Sequence, residues 1–186
     1  MEFLKGMDPL LHRKLKMHHR IWISALITML LFGVGFAARI VPSGYTKIVL
    51  TQEGKSGKLF SAVAPDGERL TLSWRNSLFG LQAKEGFFAR SGVLIQDQVI
   101  FFTPDGAPPP RVSPEEVDDL YQTGGAFDAR GLSRSFSRIV YRIGEIGDPK
   151  LHVQGRTVAF KQAAGFGGRI ILTTSRPALY EILGSW

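Results

Sequence analysis

Cysteine is absent from the 186 residues, so disulfides, thiolate catalysis and Cys-ligated zinc or iron–sulfur sites are excluded. Histidine is scarce. His12, His18 and His19 fall in the N-terminal tail, and His152 stands alone on a strand-like segment. That distribution argues against a three-His zinc site and against a hydrolytic triad. The paired carboxylates Glu115-Glu116 and Asp118-Asp119 lie at a polar helix start, where they complement the helix dipole. No catalytic or metal-binding residue is assigned. No cofactor, small-molecule substrate or nucleic acid is expected, and the chain reads as a non-enzymatic protein.

Long hydrophobic runs are also lacking, with one exception. Residues 21–38, IWISALITMLLFGVGFAA, contain eighteen positions without a charge. At 1.5 Å per residue such a helix is about 27 Å long, close to the hydrocarbon thickness of a bilayer. Lys5, Arg13, Lys14, Lys16 and Arg20 precede it against only Glu2 and Asp8. The positive-inside rule then places residues 1–20 in the cytoplasm and everything after the span in the periplasm, across a bacterial inner membrane. Lys14, Lys16, Arg20 and Trp22 mark the near interface, and Arg39 and Tyr45 the far one; Pro42 with Gly44 ends the helix. A cleaved signal peptide is the rival reading, with Gly35 and Ala37 as the small residues of a cleavage site. Gly33, Gly35 and Ala37 form a small-residue face on which another membrane helix can pack closely. The net charge of +7 suits anionic lipid or an acidic partner surface.

The expected organisation is a cytoplasmic tail (1–20), a transmembrane helix (21–41) and an extracytoplasmic α+β domain (42–186) that is β-rich with two or three short helices. Residues 46–52, 58–64, 69–74, 86–90 and 93–102 read as strands, with Pro65-Asp66-Gly67 as a hairpin turn between the second and third. A turn and a stiff connection containing Pro108-Pro109-Pro110 occupy 104–114, a candidate sub-boundary. Ser113, Pro114 and Glu116 predict a capped helix ending at Gly124-Gly125. Leu132, Phe136, Ile139, Val140 and Ile143 predict a second helix over 127–144, capped by Asp128. Residues 151–154, 157–161 and 169–173 return to β, with Gly165-Phe166-Gly167-Gly168 as a hairpin turn and not a phosphate loop. A short helix over 178–183 closes the chain.

The feature singled out for function is an arginine row. Arg130, Arg134, Arg138 and Arg142 recur every four residues. On a helix they share one face, a series of guanidinium forks suited to carboxylates or phosphates. Two readings stay open: a partner- or lipid-binding row, and a solvated face paired with the domain's own carboxylates.

Over about 93–183 the order of features resembles the photosynthetic complex assembly proteins encoded beside reaction-centre genes in purple-type phototrophic bacteria. The residues carrying the resemblance are a strand pair with an Asp-Gly turn (Val99 to Gly106), Gly125-Ala126-Phe127 leading into Arg130-Gly131, Arg134 and Arg138, then Pro149-Lys150-Leu151, Gly155-Arg156-Thr157-Val158 and Ala178-Leu179-Tyr180-Glu181-Ile182-Leu183. The additional β region at 46–92 departs from that pattern. The resemblance implies a membrane-anchored subunit or assembly factor of a reaction-centre–light-harvesting complex, without chemistry of its own. Its partners would be lipid and other membrane subunits, including reaction-centre and antenna polypeptides. The second reading is a bitopic structural subunit of another envelope machine, such as a secretion or pilus complex.

Overall fold

The computed structural model describes residues 22–30, 33 and 42–184. Two β-sheets face each other across one main core. The four-stranded sheet has the order β2-β1-β11-β8, built from β1 (Tyr45–Gln52), β2 (Lys58–Pro65), β11 (Arg169–Ser175) and β8 (Arg138–Arg142). The seven-stranded sheet has the order β10-β9-β3-β4-β5-β7-β6. Its members are β3 (Arg69–Arg75), β4 (Gln82–Arg90), β5 (Val93–Phe101), β6 (Arg111–Val112), β7 (Phe127–Phe136), β9 (Lys150–Val153) and β10 (Arg156–Ala159). The short helices are α1 (Val117–Thr123), α2 (Phe160–Ala164) and α3 (Leu179–Leu183). The domain is α+β, mostly sheet with few helices.

Period-two patterning explains the main sandwich. Ile48 and Leu50 on β1, Leu70 and Leu72 on β3, and Ile170 and Leu172 on β11 point inward and are fully buried. They meet Phe87, Leu94, Leu151 and Phe160. A second core lies beneath α1, where Val117 packs with Val99, Phe101, Phe127 and Leu132. Phe101 and Phe127 stack at 4.9 Å between centroids, and Tyr121 of α1 meets Phe101 edge-on at 5.3 Å. The capped helix forms as expected. Pro114–Glu116 is a 3-10 turn, and Glu116 accepts a hydrogen bond from the Ser113 N–H at 2.8 Å. Gly124 ends α1 at φ +80, with a Phe79 ring carbon only 2.6 Å from where a Cβ would stand. This glycine therefore serves both backbone conformation and ring packing.

Several expectations are corrected. The helix over 127–144 does not form: the residues are β7 and β8. Gly131 stands at φ +77 within this stretch, and serines at 133, 135 and 137 alternate with larger residues. Both features favour a bulged strand over a helix. Asp128 caps nothing; it is buried on β7. Pro65-Asp66-Gly67 is a turn but not a hairpin, because β2 pairs with β1 while β3 pairs with β4 and β9 in the other sheet. The chain switches sheets there, held by Asp66 N–H to Gly44 C=O and Gly67 N–H to Ala89 C=O, both 2.8 Å. The strand expected over 157–161 ends at Ala159, and α2 follows, so 165–168 closes a helix instead of a hairpin. Within 104–114, β6 pairs in parallel with β7. Tyr45 opens β1.

Of the expected membrane segment, residues 22–30 and 33 are helical, and every one of them is exposed. Among the described residues no helix is long and apolar enough to cross a membrane. Lys14, Lys16, Arg20, Gly35, Ala37 and Arg39 lie outside the described residues. Gly33 has open space around it, with nothing within 4 Å of where a Cβ would stand.

Candidate functional site

The structure divides the arginine row among three surfaces. Arg130 pairs across β5 with Gln98, and Arg134 with Gln96, while three β7 residues oppose Asp97 alone. That bulge changes the parity of the strand. Arg130 therefore faces outward, whereas Arg134 falls on the side of Leu132 and Phe136, at the margin of the core. Arg130 donates to both carboxylate oxygens of Asp128, at 2.8 Å from Nη2. Gln98 donates to the same carboxylate at 2.8 Å. Burial pushes the Asp128 carboxyl up, but the Arg130 and Gln98 hydrogen bonds with the Arg130 charge outweigh it, leaving Asp128 below the usual carboxylate range. Arg134 reaches Asp118 of α1 at 2.9 Å. Arg138 and Arg142 differ: both are exposed on β8, and neither has an ion pair or side-chain hydrogen bond among the described residues.

Arg138 and Arg142 flank Val140, which is 41% exposed. All three side chains lie on the outer face, while Ile139 and Tyr141 pack on the core. Strand β8 is the last strand of its sheet and, among the described residues, pairs only with β11. The backbone bonds at its ends, Thr174 N–H to Ser137 C=O and Ile143 N–H to Gly168 C=O (both 2.9 Å), place Ser137 and Ile143 in the hydrogen-bonded class. By antiparallel alternation, Ile139 and Tyr141 belong to it too. The N–H and C=O groups of Arg138, Val140 and Arg142 therefore point away from β11, toward the open edge.

Arg142 also rims a cleft of about 460 Å³ lined by Trp74, Arg75, Leu78 and Ile146. Leu78 is 82% and Ile146 53% exposed, two large apolar side chains beside two guanidinium groups. The cleft lies far from the point where the chain enters the domain. β3 starts next to the Gly44–Asp66 contact and runs seven residues away from it before the loop bearing Leu78.

A polar cluster that sequence reasoning missed sits between the two cores. Glu85 of β4 accepts a hydrogen bond from Trp74 Nε1 at 2.9 Å and another from Gln96 Nε2 at 3.0 Å. It keeps a partial opening to solvent, yet burial dominates and raises its carboxyl above the usual range, against the two hydrogen bonds that lower it. Burial, and after it the Glu85 charge, raise both the Tyr121 and Tyr141 phenols. The one available signal was Glu85 at an inward position of an alternating strand, between Ala83 and Phe87.

His152 is not isolated in three dimensions. Its ring nitrogens contact Ser73 Oγ at 3.0 Å and Thr157 Oγ1 at 2.9 Å. A hydroxyl therefore occupies the place where a carboxylate would orient the imidazole of a triad. Among the described residues there is no group of three or more His, Cys, Asp or Glu that could hold a metal ion. No family model, curated protein or solved structure matches the chain.

Proposed function

We propose that this chain is a non-enzymatic, membrane-anchored subunit or assembly factor of a larger membrane complex, with its N-terminus cytoplasmic and its β domain periplasmic. The observation that carries the reading is the helical stretch 22–30, which exposes Trp22, Ile23, Leu26, Ile27, Met29 and Leu30. Six large apolar side chains exposed over nine residues, with no charge among them, call for lipid or other helices around the segment. Arg138 and Arg142, which have no ion pair among the described residues, flank exposed Val140, and Arg142 also stands beside Leu78 and Ile146; these features support a protein-binding role for the domain. Such a surface suits recognition of another subunit. The family resemblance points to a photosynthetic reaction-centre–light-harvesting complex as that assembly. A secretion or pilus complex would use the same features.

The test has two steps. Reporter fusions after Gly184 should be active in the periplasm only; a reporter active only in the cytoplasm overturns the topology. Tagged chain purified in mild detergent should then bring down pigmented polypeptides with their absorption bands. Recovery of secretion or pilus components without pigment would select the other assembly.

A further inference from the structure

We propose that β8 is an open receptor edge that takes up an extended, acidic segment of another protein as an added strand of the four-stranded sheet. The inference rests on the reading of this domain as a binding module, and it names the place and the kind of partner. Three observations converge on one short strand. The edge is unpaired among the described residues, since β8 has β11 on one side and no strand on the other. Alternation leaves the N–H and C=O of Arg138, Val140 and Arg142 directed at that edge, a row of backbone donors and acceptors that an extended segment can meet in register. The side chains of the same three residues stand exposed in the order cation, apolar, cation.

That order defines the occupant. A strand laid along β8 places its alternate side chains beside Arg138, Val140 and Arg142, so the complementary segment reads acid, any residue, apolar, any residue, acid. Arginine forks take carboxylates bidentately, and neither guanidinium is engaged by the described part of the domain. A second copy of the chain is disfavoured: antiparallel pairing of β8 with itself about Val140 sets Arg138 opposite Arg142, like charge against like. The chain's own tail, residues 1–20, has the wrong sign, with five basic residues against two acidic. Protection of this exposed edge is confined to charge and short length. The strand carries no proline, and Val140 is apolar at its centre, although its two arginines discourage uncharged strands.

The experiment uses the full chain in mild detergent and a blocked peptide, Thr-Glu-Thr-Val-Thr-Glu-Thr, followed by fluorescence anisotropy. Binding should be saturable and should weaken as salt is raised. The combined Arg138→Glu and Arg142→Glu variant should bind at least about tenfold more weakly, and so should Val140→Pro, which removes only an outward N–H. The peptide N-methylated at its valine cannot donate to the edge and should also lose about tenfold or more. A peptide with Lys for Glu should not bind. Equal binding of the N-methylated peptide would reduce the contact to charge alone and overturn strand addition, even if Val140→Pro failed to fold. Binding of phosphatidylglycerol in mixed detergent micelles through the two arginines, without binding of the peptide, would overturn it in favour of lipid headgroups. Failure of the peptide to bind overturns strand addition at β8 and leaves the reporter and copurification tests standing. A cytoplasmic reporter would overturn the membrane reading whatever the peptide does.

Discussion

Strands β7 and β8 follow one another directly in the chain, each carries two arginines, and their surroundings are opposite. On β7, Arg130 meets buried Asp128 and Arg134 meets Asp118, while Phe127 and Ala129 fill the core beneath α1. On β8, Arg138 and Arg142 stand in solvent about an exposed Val140. The difference comes from what each strand has beside it. β7 lies inside the seven-stranded sheet, between β5 and β6, whereas β8 ends the four-stranded one. Arg130 has its carboxylate two residues away on β7 itself, shared with Gln98 of β5, and Arg134 has Asp118 of α1, whereas no carboxylate among the described residues comes within ion-pair distance of Arg138 or Arg142. Arginine at equal spacing therefore serves internal structure on one strand and remains available on the next.

That contrast can be broken most severely in the core. Phe127→Ala removes a fully buried ring stacked on Phe101 and should lower stability by about 3–5 kcal/mol in urea unfolding. Val140→Ala should stay within about 0.5 kcal/mol. Similar losses from both would show that β8 is covered. Asp128→Ala comes next. It removes the shared acceptor of Arg130 and Gln98, at a cost of about 0.5–1.5 kcal/mol, because the half-exposed Arg130 guanidinium regains water. Because the folded-state pKa of Asp128 is depressed, its contribution is present above the ordinary value of 3.8 and is lost as pH falls through the folded value. The wild type should thus lose its advantage over the variant in acid; an advantage constant from neutral to strongly acidic pH would argue against a charged pair.

Glu85 carries the opposite sign. Its folded-state pKa is raised, so its favourable contribution is full below the ordinary value of 4.5 and is lost as pH rises through the folded value. Glu85→Gln should raise the urea midpoint at neutral pH by less than Asp128→Ala lowers it, and the gain should shrink as pH falls toward 4.5. A gain independent of pH would mean that packing and not charge is responsible. The smallest effects belong to the surface arginines. Asp118→Ala should cost about 0–1 kcal/mol, since its pair with Arg134 is exposed. Arg138→Ala and Arg142→Ala should each change the melting temperature by no more than about 1–2 °C. A larger drop from either would place these residues in a contact internal to the domain.

Much of the architecture was legible in the residues. Alternation at Thr46, Ile48 and Leu50, and at Leu70 and Leu72, marked strands because period-two burial leaves a direct trace. The helix beginning at Pro114 was legible because Ser113 and Glu116 carry a local capping signal. The stretch 127–142 was not. A four-residue repeat fits a helix and a strand alike, since four is close to one helical turn and is also twice the strand period. Leu132, Phe136, Ile139, Val140 and Ile143 fit a helical face, and the bulge at Gly131 hid the alternation that would have exposed the strand. The carboxylate of Glu85 was equally hidden, because its donors Trp74 and Gln96 each lie eleven residues away in sequence.

The sequence by itself determined the character of the parts: an uncharged apolar run behind a basic tail, a β-rich domain with few helices, the absence of thiol chemistry, and four arginines at constant spacing. Those follow from composition and short-range pattern, which any segment carries wherever it folds. Only the tertiary structure decided that 65–67 turns a corner between sheets, that two arginines are matched by carboxylates, and that the other two line an edge left unpaired among the described residues. The physical reason is that pairing partners and edges are properties of strand order. Strand order is set by which distant faces bury each other, as Ile48 and Leu172 do with Phe87, and not by anything within a strand.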